Sequence, residues 1–128
     1  MNTAPQDPAV ERALLAAVLL FAGGAPNLVH ADLEAVGVTA ETFFDPRHAL
    51  IWEAMTVLLR RSVPVDILTL GAELRAMERL NSVGGAQYLG ELTDYLVTLA
   101  HAEAHAELAV DIARLRQAAA IELEMQAR

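Results

Sequence analysis

Lysine is missing from this chain of 128 residues, and all nine basic residues are arginine. The phosphate-binding loop of a Walker-type nucleotide hydrolase places a lysine after its glycines to reach the β- and γ-phosphates, so the chain carries no such site of its own. Cysteine is also absent, which removes disulfides and thiolate metal sites while leaving the redox compartment undetermined. Aromatic residues make up only 5% of a chain that is 55% hydrophobic. The core therefore has to be assembled from Ala, Leu, Val and Ile, a mix that suits packed helices. Positive charge is scarce, and the formal net charge is −8. Such a balance repels a phosphate backbone, so direct binding of nucleic acid is not expected. The Arg60-Arg61 and Arg75/Arg79 pairs read as solvated helix faces.

Long apolar runs are missing too. The longest, Ala13 to Ala25, contains Gly23-Gly24 and falls short of the roughly 20 residues that span a bilayer. Asp7 and Glu11 precede or open it, where a secretory signal needs positive charge. The chain reads as cytoplasmic, with no membrane partner.

What is present is helix punctuation. Asp7-Pro8 and Asp45-Pro46 each place an N-cap acid before a proline at the first helical position, where the missing N–H is harmless and the fixed φ is favourable. The spacing predicts helices from about Pro8 to Phe21, Pro26 to Val36, Asp45 to Arg61, Asp66 to Arg79, Ala86 to Leu96 and Leu99 to Gln126, with a brief turn at Thr39-Ala40-Glu41. By length this is one domain covering 1–128. The fold class is all-α: a compact bundle of about six helices ending in a long antiparallel helical hairpin, because helices joined by a few residues lie antiparallel. Leu92, Leu96, Leu108, Ile112 and Leu115 are expected to line that hairpin. The last helix is much the longer, so its distal part overhangs its partner and exposes Leu115, Ile121 and Met125, a pattern that points to self-association.

Residues that could carry chemistry are few. His101 and His105 stand four apart on the last helix and could share a metal ion, but the order His-Ala-Glu-Ala-His differs from the His-Glu-x-x-His of zinc peptidases. An exposed polar face accounts for them as well. The acids sit mostly at helix starts (Asp7, Asp45, Asp66) or along solvated faces, and Ser62 and Ser82 lack the surroundings of an activated nucleophile. No catalytic or cofactor-binding residue is assigned, and the isolated chain is not expected to be an enzyme.

Four blocks in order carry a resemblance: Ala9 through Leu20, Phe43-Phe44-Asp45-Pro46-Arg47-His48 through Met55, Pro64 through Leu70 with Glu73-Leu74, and Val83-Gly84-Gly85-Ala86-Gln87-Tyr88-Leu89-Gly90-Glu91-Leu92. Together they are similar to the N-terminal domain of the DnaB-like replicative DNA helicase family. The chain departs from it at Ala16, where the family usually has Gly, in a longer Phe21 to Ala35 segment, and at Val97 and His101, where Pro and Asn are common. The resemblance implies a collar that pairs with itself as a dimer or ring of dimers and offers a surface to the C-terminal domain of primase or to a helicase loader. ATP and magnesium would belong to a RecA-type motor domain that this chain does not contain. Three other readings are a free-standing regulator of the helicase ring, the helicase-binding domain of a primase, and a small metal-dependent helical enzyme using His101 and His105.

Overall fold

Asp7, Asp45 and Asp66 each cap a helix. Asp7 accepts from the Val10 amide at 3.2 Å, and Asp45 accepts from the Arg47 amide at 2.9 Å. Asp66 and Thr69 satisfy each other's backbone N–H at 2.8 and 2.9 Å, a reciprocal capping box. In the computed structural model, which describes residues 4–21, 28–94 and 99–127, these caps open α1 (Pro8–Leu20), α3 (Pro46–Arg60) and α4 (Ile67–Ala76). Around them lie α2 (Leu28–Val36), α5 (Gly85–Leu92) and α6 (Leu99–Gln126), with 3₁₀ turns at Ala40–Thr42 and Asn81–Val83. The expected all-α fold of six helices is met. Among the described residues, no helix is long and apolar enough to cross a membrane.

The helix ends share one device. Just past α2, α3 and α4, one residue donates back three positions and the next donates back five: Gly37 to Glu34 and Val38 to Leu33, Ser62 to Leu59 and Val63 to Leu58, Glu78 to Arg75 and Arg79 to Leu74. This Schellman arrangement satisfies the orphan carbonyls but needs a left-handed residue at its pivot. Only α2 uses glycine; Ser62 and Glu78 hold φ of 59° and 60°, where a Cβ crowds the carbonyl. Ser62→Gly and Glu78→Gly are each expected to stabilise the domain by about 0.5–1 kcal/mol, read as a higher urea midpoint with an unchanged slope.

The core lies between α1, α3, α4 and α5. Leu14, Leu15, Val18, Ile51, Met55, Leu70, Leu74, Leu89 and Leu92 are fully buried there. The final helix differs from expectation. Among the described residues α6 takes α1, α2 and the Ala40–Thr42 turn as its packing partners, whereas α5 packs on α4, α1 and the Asn81–Val83 turn. α5 is too short for the expected hairpin, since it has eight residues and ends at Leu92. The face that α6 buries is Ala102, Ala106, Ala109 and Ala113 with Val110, spaced four, three and four apart. A stripe of alanines lets two helix axes approach closely, so small side chains and not the leucines face the body. α6 runs 28 residues, and among the described residues from Gln117 onward only Ala119 is even half-covered.

Candidate functional site

A buried polar chain joins three helices behind the Asp45-Pro46-Arg47-His48 block. Glu11 on α1 is 4% exposed and His48 on α3 is completely buried. The Phe44 and Asp45 amides donate to the Glu11 carboxyl group at 2.8 and 3.3 Å, and His48 Nδ1 lies 2.8 Å from Glu11 Oε1. His48 Nε2 in turn is 2.6 Å from the Tyr88 hydroxyl on α5, with the two rings stacked. On the outer side, the Arg47 guanidinium covers the Tyr88 ring at 4.3 Å and grips Asp45 at 2.7 Å. That bond holds the Asp45 carboxyl below its usual range and raises Arg47.

A carboxyl, an imidazole and a hydroxyl in line have the makings of an acid–base relay, but here each member is consumed by the others and by backbone amides. The arrangement ties α1, α3 and α5 to the 43–45 loop. Sequence reasoning placed Asp45 as a cap, which it is, but assigned Glu11 no part in the core, where its burial puts it. Nothing local marks Glu11, because its partners lie 33 to 37 positions away.

A second buried histidine, His30 on α2, stacks on Trp52 at 4.1 Å. Its Nε2 meets the Thr56 hydroxyl at 3.0 Å and its Nδ1 meets Glu34 at 3.2 Å. Burial holds its pKa below the ordinary 6.5, with Glu34 opposing the shift. The unfolded chain therefore takes up a proton before the folded one, so stability is lost as pH falls below about 6.5. Asp45, whose pKa is depressed from 3.8, contributes stability that disappears only at more acid pH, outside this window. Melting temperature is expected to fall for the parent chain between about pH 7.5 and about pH 5.5, and to vary less in His30→Gln.

The candidate metal pair sits near the start of α6. The His101 and His105 rings are 6.1 Å apart and edge to face; His101 is exposed and His105 half-buried. Among the described residues no group of three or more His, Asp or Glu side chains converges as a metal cage would require.

The expected hairpin residues are dispersed. Leu92 is in the core, and Leu96 lies outside the described residues. Ile112 is half-buried beside α1, and Leu108 and Leu115 are 46% and 62% exposed. At about 100° per residue, Leu108, Ile112, Leu115, Ala119 and Leu123 fall on one flank of α6, while Ile121 and Met125 fall on another. Ile121, Leu123 and Met125 are 58%, 67% and 66% exposed. The expected overhang is therefore present, with two apolar flanks and no cover within this chain among the described residues.

These features define a class of protein: an all-helical domain whose buried polar groups lock helices together and whose terminal helix projects an apolar surface. The chain belongs to the DnaB-like helicase N-terminal domain family, whose model matches residues 3–111. Replicative DNA helicase DnaB of Geobacillus stearothermophilus is 36% identical over 113 residues, 88% of this chain and 24% of that protein. The Leifsonia xyli replicative DNA helicase DnaB is 30% identical over 116 residues, 91% of this chain and again 24% of that protein. This chain thus spans about a quarter of the length of these relatives. The crystal structure of the N-terminal domain of DnaB helicase from Mycobacterium tuberculosis matches at a TM-score of 0.85 and 30% identity, over 95% of this chain and 84% of that one.

Proposed function

We propose that this chain is the assembly collar of a replicative DNA helicase. In this reading it pairs with a second copy through the projecting part of α6, and the paired domains present a surface to the C-terminal domain of primase or to a helicase loader in the cytoplasm. Unwinding, with its ATP and magnesium, belongs to a RecA-type motor domain beyond the matched region, and this chain contributes no catalytic residue or cofactor. The observation that carries the reading is the exposed apolar flank of α6, with Leu108, Leu115 and Leu123 between 46% and 67% exposed. Single exposed leucines are ordinary, but several on one flank of a projecting helix mark an interaction surface. Membership of a family whose relatives are named replicative DNA helicases supplies the context.

The test combines sedimentation equilibrium of this chain with calorimetric titration by the primase C-terminal domain of the same organism. Reversible self-association together with saturable heat supports the collar reading. A strict monomer that releases no heat at high micromolar concentration overturns it.

A further inference from the structure

Arg116 sits where α6 parts from the body. The last buried residue of the helix is Ala113, and beyond Arg116 only Ala119 among the described residues is half-covered. At that point the Arg116 side chain turns back. Its Nη1 donates to the Pro5 carbonyl at 3.0 Å, and its Nη2 donates to the Glu41 and Thr42 carbonyls at 3.1 Å each. The guanidinium also lies 5.4 Å from the centroid of the Phe44 ring, within cation–π range. One side chain thus gathers the segment before α1, the 3₁₀ turn and the loop that Glu11 holds from beneath through the Phe44 and Asp45 amides.

We propose that Arg116 is the fulcrum of α6, fixing the angle at which the projecting segment leaves the body. Three carbonyls from two separate segments define a plane, and a planar fork with five fixed N–H donors reads that plane in one orientation. A lysine keeps the charge but not the fork. The segment from Gln117 to Gln126 is about 15 Å long, so a swing of about 20° at its base carries the tip roughly 5 Å, enough to break register with a partner helix packed 8–10 Å away. The effect on pairing rests on the collar reading above; the angle itself does not.

Because the chain has no cysteine, Ser82→Cys, at an exposed position of the Asn81–Val83 turn, and Gln126→Cys at the helix tip give unique spin-label sites. Pulsed-EPR distances, measured with labelled chain diluted in unlabelled chain, report the angle alone. A single narrow distance is expected in the parent. Its width should at least double in Arg116→Ala and grow less in Arg116→Lys, with self-association weakened about tenfold in the alanine variant. Circular dichroism checks that the body is folded; should Arg116→Ala unfold, the lysine variant carries the measurement. An unchanged width in folded Arg116→Ala, or in Arg116→Lys where the alanine variant unfolds, overturns the fulcrum. Widening with unchanged association upholds the fulcrum and overturns its link to pairing. A parent chain that never self-associates overturns the pairing reading, while the distances still decide the fulcrum.

Discussion

Glu11→Ala is expected to cost about 3–5 kcal/mol, the penalty for removing one member of a buried hydrogen-bonded pair. The substitution strands the Phe44 and Asp45 amides, which donate to Glu11 at 2.8 and 3.3 Å, and the imidazole nitrogen of the completely buried His48 at 2.8 Å. Against a typical total stability of 5–15 kcal/mol, that loss lowers the melting temperature by roughly 12–20 °C. His48→Ala removes the central member and opens a cavity, so it falls in the same range. Tyr88→Phe deletes a single hydrogen bond at the more open end and is expected to cost only about 1 kcal/mol. Urea and thermal unfolding of the three variants check this ordering. A Glu11→Ala chain within 1 kcal/mol of the parent would show that the polar chain ties nothing together. The effect also bears on α6, because the loop that Glu11 holds follows directly on the 3₁₀ turn whose Glu41 and Thr42 carbonyls Arg116 grips, and its Phe44 ring lies under the same guanidinium.

Why that network escaped sequence reading, while the helix starts did not, is a matter of range. A cap is a local bargain between an aspartate and amides two or three positions on, so Asp7, Asp45 and Asp66 announce α1, α3 and α4 to within a residue or so. Helix ends were less legible. Gly37 signals its turn, whereas Ser62 and Glu78 adopt the same left-handed geometry without a residue type that advertises it, and α4 stops at Ala76 where the pattern runs on to Arg79. The Glu11–His48–Tyr88 chain is closed by tertiary contacts spanning 37 and 40 positions, for which no spacing rule exists. On α6 the error came from weighing side chains by hydrophobicity. Leucines attract attention as core, but Ala102, Ala106, Ala109 and Ala113 do the packing because close helix approach rewards small volume. The length of the last helix was legible, and with it the exposure of Leu115, Ile121 and Met125.

The two apolar flanks of that projecting helix lead to the other large effect. Leu115→Glu with Leu123→Glu is expected to weaken self-association by at least about a thousandfold. Burial of a leucine contributes about 1.5–3 kcal/mol, and a two-fold interface uses each position twice. Four lost leucine contacts therefore exceed the roughly 4 kcal/mol that a thousandfold change in affinity represents, before counting the desolvation of the new carboxylates. The folded body should be indifferent, since both side chains are more than 60% exposed and such surface changes move stability by within about 0.5 kcal/mol. Ile121→Glu with Met125→Glu supplies the contrast. Those positions lie on the other flank, about 120° and about 80° around the helix from Leu115, and cover a single turn where the leucine flank runs from Leu108 to Leu123. Pairing through the longer flank leaves this second variant within about tenfold of the parent. Sedimentation equilibrium of both variants, at matched ionic strength because the chain carries a net charge of −8, separates the cases. The reverse ranking would move the interface to the Ile121 flank, and equal, small effects in both would remove α6 from the interface altogether.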